Sequence, residues 1–344
     1  MAYRFHPEKF DQMLAELGSS YKLYGPTRYP NAGPLSETDL VAFGSVRKVA
    51  DLELNVQSML PPKELLLPVN QTLFYFTEDR ILEPSRDPSP MIIFLRPCDL
   101  NAIKRLDAIF LENGAEPDPY YKQIRDRVRF FVLECTQGFE DCFCVSMQAN
   151  TSTDDDVFLR IGSDEIRARV SNPEFGEIFE RFGKPAEFEP QFVQSNLKDV
   201  RVPEPEKIDN SIFESDLWSG YSSRCIACGR CNLSCPTCSC FTVRDLCFED
   251  NPRQGERRRF WSGCHLDGFD EVSGGIVFRP SRGDRMRYKT LHKIHDFRKR
   301  FGVNMCVGCG RCEMVCPQYI SFAECINACH DWAESVRNTS RTEQ

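Results

Sequence analysis

The stretch Cys225-Ile-Ala-Cys228-Gly-Arg-Cys231-Asn-Leu-Ser-Cys235-Pro236 decides how the last third of the chain must fold. Its spacing is C-x2-C-x2-C-x3-C-P, and Cys306-Val-Gly-Cys309-Gly-Arg-Cys312-Glu-Met-Val-Cys316-Pro317 repeats it, including the central Cys-Gly-Arg-Cys. Three thiolates at this spacing can bind three corners of a [4Fe–4S] cubane, while the fourth is carried past it and ligates the other cluster of a two-cluster protein. The two motifs therefore predict two [4Fe–4S] clusters.

This crossover sets the expected ligands. We expect the first cluster to take Cys225, Cys228, Cys231 and Cys316, and the second to take Cys306, Cys309, Cys312 and Cys235. Gly229, Gly308 and Gly310 permit a positive φ, so that backbone N–H groups can approach the sulfurs. Zinc is the alternative because it also accepts four thiolates, but a zinc site needs neither the third closely spaced cysteine nor the trailing Cys-Pro.

The cysteine content agrees with metal ligation. The chain of 344 residues contains 18 cysteines, and only four of them precede residue 200. Disulfide frameworks belong mainly to small secreted proteins, whereas this chain is long and its first ten residues do not form a secretory signal. We therefore expect a cytoplasmic protein. A net charge of −8 argues against nucleic-acid binding, and no apolar run has the length of a membrane span.

The first 200 residues show the pattern of an α/β domain. The apolar run Met91–Leu95 predicts a buried strand, a helix capped by Asp99 is expected to run to Glu112, and Val128–Leu133 predicts a second strand. Two such strands joined by a helix favour a βαβ unit. Further elements are predicted as an amphipathic helix over residues 7–17 and a strand over residues 157–161.

The predicted architecture is thus an α/β N-terminal domain over residues 1–200, followed by a mainly helical two-cluster ferredoxin-type domain over residues 201–344. Prolines among many charges make residues 184–210 typical of a linker. In the second domain, helices are predicted over residues 285–300 and 321–336. Residues 285–300 contain seven Lys or Arg and one acid. This cationic segment could be a solvated face, could offset the clusters' charge, or could dock an acidic partner.

A third [4Fe–4S] cluster is predicted in the N-terminal domain, bound by Cys98, Cys135, Cys142 and Cys144. Cys98 follows one predicted strand and Cys135 follows the other, so parallel pairing would bring both to the carboxyl edge of the sheet. The other two lie on the loop beyond. Ordinary buried cysteines and a mononuclear zinc site are the alternatives.

Several other residues are of types that can bind metals. Asp154, Asp155 and Asp156 could bind a metal, but a solvated turn is the simpler interpretation. His265, His292 and His295 could ligate a cluster, but eight cysteines already satisfy two cubanes, so they are expected to be surface groups or neighbours of the clusters. Six cysteines receive no ligand role and are expected to be buried near the clusters: Cys238, Cys240, Cys247, Cys264, Cys325 and Cys329.

These motifs together resemble a known family. The motifs of the chain are similar to those of the iron–sulfur electron-transfer subunit of anaerobic sulfite reductase. These motifs are Arg96-Pro97-Cys98-Asp99, Glu134-Cys135, Asp141-Cys142-Phe143-Cys144, Cys235-Pro-Thr-Cys238 and the two cluster motifs. They are also similar to those of the related β subunits of cytoplasmic sulfhydrogenases. The resemblance covers nearly the whole chain.

The resemblance implies a non-catalytic electron-transfer subunit of a hetero-oligomeric oxidoreductase. In the sulfite reductase interpretation, which we place first, a flavoprotein (FAD) subunit oxidises NADH and a sirohaem subunit reduces sulfite to sulfide. The chain has neither GxGxxG nor GxxxxGK[ST], in agreement with a relay that binds no nucleotide. The first alternative is the β subunit of a nickel–iron hydrogenase, and a further one is an iron–sulfur redox sensor.

Overall fold

A computed structural model describes the backbone of residues 1–342 and the side chains of residues 1–336. The strands are β1 Ala2–Phe5, β2 Lys22–Tyr29, β3 Leu40–Ser45, β4 Asn70–Phe76, β5 Ile81–Leu82, β6 Met91–Leu95, β7 Val128–Leu133, β8 Val157–Ile161, β9 Ile166–Val170, β10 Lys184–Pro185, β11 Phe241–Cys247, β12 Gly255–Trp261, β13 Glu271–Val272 and β14 Ile276–Val277. The α-helices are α1 Pro7–Leu17, α2 Pro97–Phe110, α3 Pro119–Arg125, α4 Gly176–Phe182, α5 Ser219–Arg224, α6 Arg230–Leu233, α7 Arg282–Leu291, α8 Phe297–Phe301, α9 Arg311–Met314 and α10 Phe322–Thr342.

The N-terminal half is built on an eight-stranded sheet with the order β10-β1-β9-β8-β7-β6-β2-β3. Its centre is parallel: β2 pairs with β6, β6 with β7 and β7 with β8 in the same direction. The predicted helix over residues 7–17 and the three predicted strands are confirmed. The apolar face of α1, with Phe10, Met13, Leu14 and Leu17 fully or nearly buried, packs into the core on one side of this sheet.

The βαβ unit is also confirmed. Leu95 lies opposite Val132 in the parallel register of β6 and β7, and α2 connects the two strands. The predicted start of α2 is wrong, because the helix already begins at Pro97. Proline suits the first turn, since that position needs no N–H donor. Asp99 is therefore inside the helix and is not its cap.

A second sheet combines strands from both halves of the chain, in the order β11-β12-β4-β5. Six residue pairs join β12 to β4 in antiparallel register, so a segment near residue 258 pairs with one near residue 73. The expectation of a mainly helical C-terminal domain is therefore wrong, because two seven-residue strands lie between the cysteine motifs. The α/β character of the N-terminal domain holds.

The cationic segment forms a helix with an irregular centre. The chain runs through α7, a π-helical turn over His292–Asp296 and then α8, which ends at Gly302 with a φ of 76°. Ser281 caps α7 by accepting the N–H of Asp284 at 3.0 Å, while the carboxylate of Asp284 bonds back to Ser281. Three cations of this segment are buried, so the solvated-face interpretation is wrong for that side: Arg285, Lys289 and Lys293.

The long helix α10 starts at Phe322, one residue from the predicted position. Within residues 1–342, no helix combines the length and the apolarity that crossing a membrane requires.

Candidate iron–sulfur sites

Cysteines from both motifs line one cavity near the surface. Cys225, Cys228 and Cys231 border it from the first motif, and Cys316 borders it from the second, together with Cys312, which the crossover assigns to the second cluster. Gly229, with a φ of 70°, precedes α6 and turns the chain so that Cys231 can face the cavity. The structure therefore brings together the four residues that the crossover assigns to the first cluster.

Cys235 belongs to the surroundings of the second motif. Burial raises the pKa of Cys306 to about 12, and the charges of Cys235 and Cys309 add to this effect. Cys235 likewise raises the pKa of Cys309 and of Cys312, for both of which burial is the largest cause. Lys293 opposes these shifts at Cys306. The structure thus also carries the fourth cysteine of the first motif to the second.

Backbone N–H groups point at the sulfurs, as expected for anionic thiolates. Such N–H···Sγ hydrogen bonds, each 3.4 Å long, run from Ala227 to Cys225, from Gly308 to Cys306 and from Ile320 to Cys316. The donors Ala227 and Gly308 occupy equivalent places in the two motifs. A hydrogen bond of this kind favours the charged form of the sulfur that it contacts.

The four N-terminal cysteines surround a second cavity. Cys98 comes from the start of α2, Cys135 from the end of β7, and Cys142 and Cys144 from the loop that follows. This is the convergence at the carboxyl edge that parallel pairing predicts. The side-chain oxygen of Asn196 accepts the N–H of Val145 at 2.9 Å and lies 3.8 Å from the sulfur of Cys144, so it fixes this loop.

The N-terminal cavity lies directly against the second motif. Phe143 donates its N–H to the carbonyl of Gly308 at 2.7 Å, and Cys142 Sγ lies 3.7 Å from the carbonyl of Cys309. A Cβ added to Gly308 would lie 2.4 Å from the carbonyl oxygen of Phe143. Only glycine fits at this position, because the contacting atoms are backbone and cannot rotate away.

An ion pair between Asp99 and Arg311 joins the same two regions. The guanidinium of Arg311 donates to the two carboxylate oxygens of Asp99 at 2.6 and 3.1 Å, and both side chains are buried. Arg311 also donates to the carbonyl and the hydroxyl of Ser58, each at 2.8 Å. The local sequence suggested a capping role for Asp99 and gave no sign of this pair, since its partner is 212 residues away.

Three buried lysines lie among the cysteines. Lys63, Lys289 and Lys293 are each at most 3% exposed, and within the described side chains none has a carboxylate in ion-pair range. Burial acts to lower the pKa of Lys289, but the charges of Cys231 and Cys312 outweigh it and the pKa lies well above its ordinary value. The pKa of Lys293 is raised in the same way, mainly by Cys235 against the effect of burial.

Lys63 comes from the N-terminal half. Its ammonium donates to the carbonyl of Cys238 at 3.0 Å and lies 4.0 Å from the centre of the Trp261 ring, while burial lowers its pKa. Burying an unpaired ammonium group is costly unless anions lie nearby. Three buried cations among thiols therefore fit the negative charge of thiolate-ligated clusters. No local sequence signal identifies Lys63.

One ring nitrogen of His265 has no hydrogen-bond partner among the described residues. Its Nδ1 lies 3.4 Å from Cys264 Sγ, whereas its Nε2 is buried without a hydrogen-bond partner among the described residues and the ring borders the cavity. Burial lowers the pKa of His265 to about 3. A buried ring nitrogen without a partner fits a site where a bound group, such as a cluster sulfur, would accept a hydrogen bond from the Nε2–H tautomer. The expectation that this histidine neighbours a cluster agrees with this position.

The sulfurs surround space and do not converge on a point. Within the described part of the chain, no three Cys, His, Asp or Glu side chains are close enough to hold a single metal ion. A four-iron cluster needs the wider arrangement, because each iron takes one thiolate. The three consecutive aspartates have structural partners instead: Lys104 for Asp154, Arg169 for Asp155 and the N–H of Phe130 for Asp156.

The six unassigned cysteines divide into four groups. The amide of Asn232 lies 3.6 Å from Cys238 Sγ and 3.4 Å from Cys264 Sγ, so these two are held beside the first motif. Cys325 and Cys329 are fully buried on α10. Cys240 is partly buried. Cys247 is exposed at the end of β11, so the expectation of burial is wrong there.

Comparison with known proteins agrees with this picture. The sequence model of a family described as "4Fe-4S dicluster domain" matches residues 224–320. The chain is 28% identical over 338 residues to "Sulfhydrogenase 2 subunit beta" of Pyrococcus furiosus, an alignment that covers 94% of this chain and 97% of that protein. The chain is therefore homologous to a sulfhydrogenase subunit, and the family model supports iron–sulfur binding. The relative favours the hydrogenase interpretation over the sulfite reductase one.

Proposed function

We propose that this chain is the iron–sulfur electron-transfer subunit of a multi-subunit oxidoreductase of the hydrogenase type. The observation that carries the proposal is the first cavity, where Cys312 and Cys316 of the second motif lie with three cysteines of the first. That arrangement is characteristic of two-cluster ferredoxin sites. The similarity to a sulfhydrogenase β subunit over nearly the whole chain supports the partner class.

Three sites would hold clusters. The first would use Cys225, Cys228, Cys231 and Cys316, the second Cys306, Cys309, Cys312 and Cys235, and the third Cys98, Cys135, Cys142 and Cys144. When bound, [4Fe–4S] clusters would accept and release single electrons at potentials set by nearby charge, hydrogen bonds and exposure. The residues of this chain would supply the charges, the hydrogen bonds and the degree of exposure that set these potentials.

The order of the sites supports a relay. Cys309 of the second site acts on the pKa values of Cys98, Cys142 and Cys144, so the second and third sites are neighbours. Lys289 lies between Cys231 and Cys312 and so links the first and second sites. The second site is therefore central. Buried Lys293 and Arg311 place positive charge beside it, which lowers the pKa of Cys306 and of Cys309 against the larger effect of burial.

Metal analysis tests the proposal. Anaerobically purified or reconstituted protein should contain about twelve irons and about twelve acid-labile sulfides per chain if three four-iron clusters are bound. About eight irons would leave the N-terminal site empty, and eight irons with one zinc would mean that this site binds a different metal. Fewer than about four irons would contradict the proposal.

Ligand substitution tests the crossover. Cys235→Ala should remove the cluster of Cys306, Cys309 and Cys312, and Cys316→Ala should remove that of the first motif, as followed by electron paramagnetic resonance of the reduced protein. The matched control is Cys247→Ala, which alters an exposed cysteine away from the cavities. Loss of the cluster of its own motif in each variant would show that the pairing is wrong.

Purification of the native complex tests the partner. A hydrogenase-type complex should contain nickel and oxidise hydrogen, and this chain alone should do neither. Sirohaem absorbance and sulfite reduction in the purified complex would instead support the sulfite reductase interpretation. A flavoprotein partner is compatible with both outcomes.

A further inference from the structure

The first site is the one that opens to solvent. Of the twelve predicted ligands, Cys228 alone is exposed, whereas the others are buried or partly buried. Electron transfer between proteins requires a close approach, so an exposed ligand marks the place where a second protein can reach a cluster edge. This reasoning rests on the proposed function, because it assumes that the first site holds a cluster.

Two large hydrophobic side chains are exposed on the segments that carry the ligands of the first site. Ile226 is 51% exposed and Tyr319 is 87% exposed, and they come from the two chain segments that form the first site. Tyr319 has a φ of 49° and Ala227, between Ile226 and Cys228, has a φ of 56°. A bulky residue in this left-handed region is strained by about 1–3 kcal/mol, and such strain clusters at functional surfaces. The fold thus holds the backbone at both residues in a strained conformation.

Arginines surround these residues. Arg224 donates to the carbonyls of Gln318 and Tyr319 at 3.4 and 3.2 Å, and Arg230 borders the first cavity. Arg282 lies beside α5, the helix that carries Arg224, because the next residue, Gly283, donates its N–H to Ser222 of α5 at 3.1 Å. All three side chains belong to exposed residues. Among the described residues, none of them has a carboxylate within ion-pair distance. Asp267, on which the charge of Arg282 also acts, is bonded to Arg285.

We propose that Cys228, Ile226, Tyr319, Arg224, Arg230 and Arg282 form a docking surface for an acidic protein that exchanges single electrons with the first site. We call it the arginine port. Its positive charge contrasts with the net charge of −8 of the chain, so an acidic partner would be guided to this face and repelled elsewhere. In each encounter the reduced partner loses one electron and the first site gains one, and no atom is transferred.

Stopped-flow kinetics test the port. The probe is a small acidic ferredoxin, reduced beforehand and mixed with the full-length, cluster-loaded, oxidised chain at increasing salt. The wild-type rate should fall at least tenfold between about 0.05 and 0.5 M salt, because the Debye length contracts to a few ångströms. The variant R224E/R230E/R282E should be at least tenfold slower at low salt and nearly independent of salt.

The control variant is R80E/R253E, which makes the same kind of charge change at two exposed arginines away from the cavities. Its electron-transfer rate should stay within twofold of the wild-type rate. It reverses the charge at two positions, whereas the port variant reverses it at three. A second control is chemical. Reduction by the methyl viologen radical cation should not slow in the port variant, because removing positive charge favours a cationic donor.

The outcomes separate this proposal from the proposed function. Iron content and the electron paramagnetic resonance signal of dithionite-reduced protein show whether the first site is loaded. A port variant with full iron that accepts electrons from ferredoxin at the wild-type rate would overturn the port while leaving the relay intact. Wild-type protein without a first cluster would overturn both. If the triple variant misfolds, the single variant Arg230→Glu tests the port instead. The exposed side chain of Arg230 makes no hydrogen bond or ion pair with the described residues, so its replacement should not disturb folding. An electron-transfer rate equal to that of the wild type would again overturn the port.

Discussion

The two cysteine motifs share a sequence but have opposite surroundings. In the first, Ile226 is 51% exposed and Arg230 extends into solvent, whereas the equivalent Val307 and Arg311 of the second are each 2% exposed. The difference arises because the N-terminal domain covers the second motif and leaves the first uncovered. A motif therefore specifies how a cluster is held, while the rest of the fold decides whether that cluster is internal or accessible.

The same contrast occurs one residue before the second cysteine of each motif. Ala227 and Gly308 both have a positive φ, of 56° and 64°. Glycine is required at position 308 because the backbone of Phe143 packs against it, while alanine is tolerated at position 227, where the residue is only partly buried. The sequence difference between Ile-Ala and Val-Gly thus records which motif is buried.

The largest expected effect distinguishes the two arginines. Arg311→Leu should destabilise the protein by about 3–5 kcal/mol, because it leaves the carboxylate of Asp99 buried without its partner. Arg230→Leu should change stability by less than about 0.5 kcal/mol. The measurement is the thermal midpoint of both variants, prepared anaerobically with iron content checked. The double variant Arg311→Leu with Asp99→Leu should recover part of the loss, and equal effects of the two single arginine variants would remove the basis of the comparison.

A smaller effect is expected at the paired positions 227 and 308. Gly308→Ala should cost about 1–3 kcal/mol, since its Cβ would meet the carbonyl carbon and oxygen of Phe143 at 2.5 and 2.4 Å. Ala227→Gly should be close to neutral, because relief of the left-handed strain offsets the higher entropy of the unfolded chain. Thermal stability and iron per chain are the readouts. Retention of wild-type stability by Gly308→Ala would mean that the loop containing Phe143 yields easily.

The smallest expected effect concerns the cation between the two sites. Lys289→Met should lower the reduction potentials of the first and second clusters, because a buried positive charge favours the more negative, reduced state. One charge at such range contributes on the order of 1 kcal/mol, or about 40 mV for one electron. Potentiometric titration measures it. Lys299→Met, an exposed lysine of the same cationic segment, is the control and should leave both potentials unchanged.

Sequence patterns predicted those features of the fold that depend on residues close together in the chain. The apolar runs at Met91–Leu95 and Val128–Leu133 indicated the parallel pair, and the position of Cys98 and Cys135 just after them indicated the N-terminal cavity. The motif spacing likewise anticipated that Cys316 would reach the first site. In each case short segments carry the information in their own residues.

Contacts between distant segments were not predictable in this way. Asp99 has the sequence context of a helix cap, and only its burial against Arg311 shows its role. The strand β12 contains three consecutive arginines, which do not suggest a sheet interior, yet Arg259 is buried between Gln71 and Asp118. Electrostatic pairing and strand pairing across the chain overrode local patterns at these places.

The pairing of β12 with β4 has a consequence for how the protein is made in the cell. Strand β4 ends at Phe76, and the ribosome must add roughly 180 further residues before β12 is available, which takes roughly 10–40 s at usual rates of synthesis. During that time the nascent chain presents an unpaired strand edge that could join other chains. The cysteines of the N-terminal cavity likewise remain uncovered until the second motif has been synthesised. A chaperone that shields residues 70–76 is therefore expected to act until β12 has been synthesised, whereas iron–sulfur delivery is expected to act after translation of the C-terminal motifs has ended.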